Sequence, residues 1–282
     1  MTGAAGHVGT TLVRHLRSTG HDVLPSDIGT PAFTETVHCD LRSDRDVGKL
    51  FERHRFSAVV HLAAVLPTAF HSDPLNGGAV NLSGTLRLLK AAVDSGVRRF
   101  VFGSSASVYG NSQRSLCSET ADPSPDESYG ASKLAIERIL EQIPTAHSME
   151  TVSFRIARVL GPGAKNTGSP WRSQIFERPS STSNRLTISF EPDARLSVIH
   201  VEDLARALRM LVEVPNFPCR IYNAPMELVR ADEIKRLAES VNGWQVSLGN
   251  SHGGPEIDSS RFAQDFQFVA LPLKQHLTTP LT

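Results

Sequence analysis

Apolar and polar positions alternate along the first 160 residues in two rhythms. Short apolar runs at Asp22–Leu24, Thr36–Cys39, Ala58–Ala63, Phe100–Phe102 and Thr151–Ile156 predict strands. Between them, three-and-four spacing predicts helices. Val8, Leu12, Val13 and Leu16 share one face before Gly20 stops the first helix, and 44–55, 79–95 and 129–142 follow, with Leu82, Leu86, Leu89 and Val93 aligned on the third. Strands alternating with helices imply a parallel sheet covered on both faces, a doubly wound α/β core over 1–160. Pro25 sits awkwardly against the Asp22–Leu24 run, because proline gives no ladder donor to an interior strand.

The rhythm loosens after residue 160. Gly161–Gly168 is rich in glycine and proline, and Arg178–Asn184 is polar. Helices are expected again at 202–213 and 230–241, and strands at Arg220–Asn223 and Gln245–Leu248. We read 161–282 as mainly a smaller substrate-binding lobe, with some segments returning to the core, set over the strand ends where open α/β sheets bind ligands. The polar stretch 111–128, with Pro123 and Pro125, is expected to be a surface loop and a candidate lid.

Composition narrows the function class. The 282 residues hold 29 Lys and Arg against 29 Asp and Glu, so no net charge draws the chain to nucleic acid or an anionic membrane. No apolar run approaches the roughly 18–20 residues of a membrane span, and the start carries no basic region followed by an apolar stretch. Cys39, Cys117 and Cys219 are odd in number and widely spaced, against a disulfide framework or zinc knuckle and in keeping with a reducing cytoplasm. The 11 histidines show no metal-ligand spacing, so no metal is expected.

Three constellations carry chemistry. Thr2-Gly3-Ala4-Ala5-Gly6-His7-Val8-Gly9 runs into the first helix, and glycines at this spacing let a pyrophosphate approach a helix N-terminus. Asp27 ends the next apolar run, where an acid hydrogen-bonds ribose hydroxyls and repels a 2′-phosphate, which favours NAD over NADP. Its plain alternative is a turn cap with Gly29. Tyr129 and Lys133 stand four apart on one helical face, where an ammonium favours a phenolate and so equips a general acid/base. Upstream, Phe100–Gly110 is a buried-type strand ending in hydroxyls, with no nucleophile elbow.

Taken together, the chain resembles the extended short-chain dehydrogenase/reductase family of NAD-dependent sugar epimerases and dehydratases over nearly its whole length. The resemblance rests on TGAAGHVG at 2–9, Asp27, Asp40-Leu41, His61-Leu62-Ala63-Ala64, Asn81, SSASVYG at 104–110, YGASK at 129–133, Phe154-Arg155, Gly161-Pro162-Gly163, and Arg195 followed by Ile199-His200-Val201-Glu202-Asp203. It implies a Rossmann-type fold in which Tyr129 transfers a proton, Lys133 holds the nicotinamide ribose while lowering the tyrosine pKa, and Ser105 assists. It further implies that Gly3, Gly6, His7, Val8, Gly9, Asp27, Asp40, Leu41, Leu62, Ala63, Ala64, Asn81 and Ile156 surround NAD. Asp40 and Leu41 would meet the adenine. The implied substrate is a nucleotide sugar or sugar acid, oxidised to a keto sugar. Members often dimerise through the helices corresponding to 79–95 and 129–142, so a homodimer is a candidate assembly.

Departures bear on substrate. Where nucleotide-sugar members carry Asn after the motif arginine, this chain has Arg158, which could be a surface residue or a clamp for a carboxylate or phosphate. Arg172 and Arg195 are further candidate anion contacts, and Ser105 and Ser107 candidate substrate hydroxyls. Ser105 is followed by Ala106-Ser107, not by the acidic pair of the dehydratase branch, which disfavours dehydration. One rival is a non-catalytic NAD-binding sensor or scaffold, which need not retain Ser105, Tyr129 and Lys133. Another is a simple alcohol or steroid dehydrogenase, which several arginines would not suit. Gly3 should end the first, central strand, yet only Met1 and Thr2 precede it. A truncated first strand, short by about five residues, is therefore expected, from a late-assigned start or a shortened paralogue.

Overall fold

The structure, a computed structural model, describes residues 1–111, 116–164, 168–180 and 183–279. In chain order the first half carries α1 (His7–Ser18), β1 (Ser26–Asp27), β2 (Val37–His38), α2 (Asp44–Arg53), β3 (Ala58–His61), α3 (Pro67–Ser72), α4 (Pro74–Gly78), and a π-helical stretch, Ala79–Gly84, that continues as α5 (Thr85–Asp94). Then come β4 (Arg99–Ser105), a 3-10 turn (Ala106–Tyr109), β5 (Leu116–Cys117), α6 (Ser128–Ala146), β6 (Glu150–Ile156) and β7 (Arg158–Leu160). The second half adds α7 (Trp171–Gln174), β8 (Arg185–Phe190), β9 (Arg195–His200), α8 (Val201–Glu213), β10 (Ile221–Asn223), β11 (Glu227–Arg230), α9 (Ala231–Leu237), β12 (Gln245–Ser251), β13 (Glu256–Ile257), α10 (Ser260–Phe266) and α11 (Leu273–Thr278).

The fold is a Rossmann-type α/β structure. β3, β4, β6 and β10 form one parallel sheet and β1 and β2 another, and Thr2 joins them by bridging Ser26 on one side and His61 on the other. The Ser26 amide donates to the Met1 carbonyl (2.8 Å), the Thr2 amide to Val60 (3.0 Å), and the Leu62 amide to Thr2 (3.2 Å). The order β2, β1, Thr2, β3, β4, β6, β10 thus reverses direction at Thr2, the switch point at which such sheets bind ligands.

Pairing at this point moves one predicted strand. The Asp22–Leu24 run carries no strand; the Leu24 carbonyl accepts from the Met1 amino group (2.8 Å), and the ladder starts at Ser26. Pro25 then stands just before β1, where its carbonyl accepts from the Val37 amide (2.9 Å) and its lack of N–H breaks no ladder bond. The other predicted helices and strands of 1–160 form within a few residues of their expected ends.

Each sheet face has its own core. On one side Leu12 and Leu16 of α1 meet Leu204, Leu208 and Leu211 of α8, with Phe262 and Tyr222 beside them. On the other, Val47 and Leu50 of α2, Leu88 and Leu89 of α5, and Ile136 and Leu140 of α6 cover Phe100 and Phe102. Residues 199–224 therefore belong largely to the Rossmann core, and β10 extends its sheet beside β6. A separate core of Leu160, Trp171, Ile188, Leu196, Ile234 and Trp244 holds the rest of the second half together.

The stretch proposed as a lid is partly anchored. Cys117 is fully buried, β5 pairs in parallel with β13, and the Asn223 amide side chain donates to the Cys117 carbonyl (3.1 Å). Residues 112–115 of that stretch lie outside the described residues, as do 165–167 of the Gly161–Gly168 turn and 181–182 of Arg178–Asn184.

His61 locks the switch point from beneath. Its ring bridges the Thr2 hydroxyl at Nδ1 (2.7 Å) and the Thr85 hydroxyl at Nε2 (2.8 Å), and it stacks on Phe102. Complete burial, with Lys133 nearby, pushes its pKa down to about 3. The folded state keeps this imidazole neutral where the unfolded chain, titrating near 6.5, takes up a proton, so stability falls as pH drops from 6.5 toward 3. Between pH 7 and 4.5 the wild type should lose about 2–3 kcal/mol more than His61→Phe. Equilibrium urea unfolding at the two pH values measures the difference, and equal losses would exclude the effect.

Candidate active site

The glycine turn between Thr2 and α1 is built for close approach. Gly3 adopts φ +75° and its backbone lies against Leu62 and Ala63, where a side chain would overlap their main chain. Gly9, in the first turn of α1, packs so tightly on the Gly3 carbonyl that a Cβ would collide with it. Gly9→Ala should therefore cost about 1–3 kcal/mol by overpacking, read as a lowered Tm. An unchanged Tm would show that the turn can relax.

Gly6 caps α1 without any side chain bonding to the helix amides, and the His7 Nε2 is buried with no partner among the described residues. Asp27 reaches back to the same turn. One carboxylate oxygen accepts from the Ala5 amide (2.9 Å), the other from the Gly29 amide (2.8 Å), so the acid both caps its own turn and holds the glycine loop. An uncapped helix N-terminus, an unpartnered buried imidazole nitrogen and a surface that side chains would fill together suit a pyrophosphate.

Some residues expected at the cofactor have other partners here. Leu41 is buried in the core under α2 and α5. Asp40 takes a forked contact from the Arg42 guanidinium, which holds its carboxyl below the usual range. Asn81 is buried, accepting from the Val65 amide (2.8 Å) and donating to the Val65 carbonyl (2.9 Å). It positions the segment of Leu62, Ala63 and Ala64 that follows β3 rather than facing outward. Val8 packs at the edge of the α1 core and Ile156 at the end of β6.

Ser105, Tyr129 and Lys133 converge at the ends of β4 and α6. Ser105 pairs in register with Ile156, and its hydroxyl lies 3.0 Å from that of Ser107 and accepts from the Ser107 amide (3.1 Å). Tyr129 is buried beside Phe70. Burial pushes its phenol up to about 12, against the pull of a hydrogen bond from Ser105, and the Glu127 carboxylate adds to the rise.

Lys133 stands near Tyr129, its Nζ 5.8 Å from the centre of the phenol ring. Its ammonium donates to the Gly103 carbonyl (2.7 Å) and sits over the Phe102 ring, and burial brings it down to about 8 against the opposing pull of Glu137. Glu127 escaped the sequence reading. It bonds the Ser107 hydroxyl, and burial with the neighbouring Asp126 raises its own pKa. Its signal in the chain was only its position two residues before Tyr129.

Beneath the site lies a closed polar network. Glu137, one turn beyond Lys133 on α6 and fully buried, accepts from Arg155 Nη2 (2.7 Å) and Nε (3.0 Å) and from the Ser104 hydroxyl (2.5 Å). Arg155 Nη1 donates to the Tyr109 hydroxyl (2.8 Å), which donates to Asn223 (2.8 Å). Of the other candidate arginines, Arg195 is exposed and paired with Glu256 (3.1 Å), so its charge is already answered. Arg158 and Arg172 have no such partner among the described residues.

The family model for the NAD dependent epimerase/dehydratase family matches residues 1–224. The chain belongs to this family. A UDP-glucose 4-epimerase from Streptomyces lividans is 32% identical over 177 residues, covering 57% of this chain, which spans about half (52%) of that relative's length. UDP-glucose 4-epimerase 4 from Oryza sativa subsp. japonica is 30% identical over 289 residues, covering 88% of this chain and 77% of the relative. Among solved structures of this fold, MoeE5 in complex with UDP-glucuronic acid and NAD is 27% identical, with a TM-score of 0.84 over 99% of this chain and 95% of that one. Membership in an NAD-dependent family agrees with the glycine turn at Gly3, Gly6 and Gly9. No helix among the described residues is long and apolar enough to cross a membrane, and no cluster of metal-ligating side chains is present among them.

Proposed function

We propose that this chain is an NAD-dependent oxidoreductase or epimerase acting on a hydroxyl carbon of a nucleotide sugar or sugar acid. The observation that carries the reading is the buried convergence of Ser105, Tyr129 and Lys133 at strand ends beside the glycine turn. Gly3, Gly6, Gly9 and Asp27 would hold NAD through its pyrophosphate and ribose, and NAD+ supplies the hydride acceptor.

Within the chain, Ser105 orients the substrate hydroxyl and Tyr129, once its own proton has passed to solvent, takes the substrate's proton as phenolate while the carbon gives up hydride to NAD+, so O–H and C–H bonds break and a C=O bond forms. Lys133, buried and within reach of the phenol ring at 5.8 Å, supplies the positive charge that the transient phenolate needs. UDP-sugar relatives support the substrate class. The retained Ser105, Tyr129 and Lys133 set weighs against a non-catalytic sensor, and exposed Leu86 and Ile139 on α5 and α6 support pairing of two copies through those helices.

The test is purified protein with NAD+ against UDP-glucose, UDP-glucuronate, free uronic acids and hydroxysteroids. Absorbance of the reduced cofactor and chromatography for epimers are read in parallel. Turnover of a sugar is expected. Turnover of hydroxysteroids alone, or of nothing while NAD+ binds, would overturn the reading.

A further inference from the structure

Glu127 stands at the N-cap of α6, the position from which a polar side chain ordinarily bonds the first free amides of a helix. Among the described residues its carboxylate caps no amide of α6. It accepts instead from the Ser107 hydroxyl on a neighbouring segment, and burial together with Asp126 raises its pKa, where a helix N-terminus by itself lowers it. That contact is built into the packing. A side chain at Gly130 would collide with the Ser107 carbonyl, one at Gly110 with the Ser124 carbonyl, and the Asn111 amide donates to Asp126 (2.8 Å). Residues 107–111 and 124–130 therefore lie directly against each other.

Ser107 leads inward. Its hydroxyl lies 3.0 Å from that of Ser105, which accepts from the Ser107 amide (3.1 Å) and bonds the Tyr129 phenol. Donors and acceptors then match without remainder. With the phenol donating, the two lone pairs of Ser105 take the phenol and the Ser107 amide, its own proton goes to Ser107, and the Ser107 proton goes to Glu127. Exposure rises along the row, from buried Tyr129 and Ser105 through half-buried Ser107 to exposed Glu127. Lys133, on the other side of the phenol, is buried with its ammonium held by the Gly103 carbonyl, so it opens no route outward.

A phenol that is to accept a substrate proton must first lose its own, and at 8% exposure Tyr129 meets little water. We propose that Ser105, Ser107 and Glu127 form a proton exit for Tyr129. The phenol O–H bond breaks as Ser105 takes the proton, Ser105 passes its own to Ser107, Ser107 passes its own to the Glu127 carboxylate, and the exposed carboxylic acid releases it to solvent. A phenolate and a proton in water result, and no electrons are transferred. This rests on the reading of Tyr129 as the acid/base group, through which Ser107 and Glu127 act.

The test follows the phenol proton itself. In protein labelled with carbon-13 at the tyrosine Cζ and dissolved in mixed light and heavy water, each hydroxyl isotope gives its own Cζ signal, and exchange between the two signals reports how fast the hydroxyl trades its proton with solvent. The chain has three tyrosines. Tyr129→Phe assigns the signal, and Tyr109, buried and bound to Asn223 away from the row, is the control. Glu127→Gln and Ser107→Ala should each slow exchange at Tyr129 by about tenfold or more, and Ser107→Thr, which keeps a hydroxyl, should restore it. Exchange at Tyr109 should stay as in wild type, which also shows that the variants fold.

A carboxylate that acts only through its charge predicts the reverse. Glu127→Gln would then ease ionisation of the phenol and speed exchange, and Ser107→Ala, which keeps the carboxylate, would leave it unchanged. Either of those results, or an unchanged rate in both variants, overturns the relay. Where sugar is turned over, both variants should also lower kcat by about tenfold with KM within about threefold of wild type. The exchange measurement needs no turnover. Slowed exchange in a protein that turns over no sugar upholds the relay and refutes the catalytic reading of Tyr129, whereas sugar turnover with unaltered exchange refutes the relay alone.

Discussion

Tyr129→Phe should lower kcat by about 10²–10⁴-fold and leave NAD+ and substrate affinities within about threefold of wild type. The phenol, buried and hydrogen-bonded to Ser105, is the acid/base group of the proposed mechanism, and the change removes one oxygen from a packed ring without opening a cavity. Its proton is tightly held in the free protein, because burial outweighs the Ser105 hydrogen bond and leaves the group at about 12.

Proton transfer to Tyr129 thus depends on positive charge arriving or persisting nearby. Lys133 is the resident source, and with its ammonium at about 8 it loses that charge between about pH 7 and pH 9, half of it by pH 8. The rate should accordingly decline above about pH 7 in wild type, with its midpoint near pH 8. A Tyr129→Phe protein that turns over substrate at a near wild-type rate would remove the phenol from the mechanism.

Glu137→Ala should destabilise the fold by about 3–5 kcal/mol, because it leaves the Arg155 guanidinium buried without an anion and the Ser104 hydroxyl without an acceptor. Urea unfolding measures it. A loss under about 1 kcal/mol would show that water or a rearranged side chain takes over the carboxylate's place. The double change Glu137→Leu with Arg155→Met should recover much of the loss, since two apolar side chains need no partner.

The gentler Glu137→Gln tests the link to catalysis. The Glu137 carboxylate is the charge that supports the Lys133 ammonium. Removing it should move the alkaline decline of the rate to lower pH while KM stays nearly constant. A pH profile unmoved by Glu137→Gln would confine the pair to a structural role.

Much of this was legible along the chain. Alternating strand and helix periods specify the layered parallel sheet, since a period of two or of 3.6 must put its apolar side against a partner layer. The glycine spacing at 3, 6 and 9 and the four-residue step from Tyr129 to Lys133 are local geometry, so they survive any tertiary arrangement that keeps the helix. The nearness of Asp27 to the glycine turn was readable from its distance along the chain, and the acid holds that turn through the Ala5 amide.

Other features depended on segments far apart in sequence. Asn81 answering Val65, and His61 spanning Thr2 and Thr85, depend on how a π-helical turn and a two-residue bridge pack together. The placement of Ser26 rather than Asp22 in the ladder depends on where the neighbouring carbonyls fall.

The arginines show the division most directly. Arg155, Arg158, Arg172 and Arg195 are alike in sequence, each a long cation near an apolar run. By itself the sequence determined the layers, the cofactor turn and the Tyr129 and Lys133 face, because those follow from backbone periodicity and short-range spacing. Only the tertiary structure decided that Arg155 meets Glu137, that Arg195 meets Glu256, and that Arg158 and Arg172 meet no carboxylate among the described residues. Charge pairing falls off within a few ångströms, and which charges come that close is set by packing between segments that the chain order leaves apart.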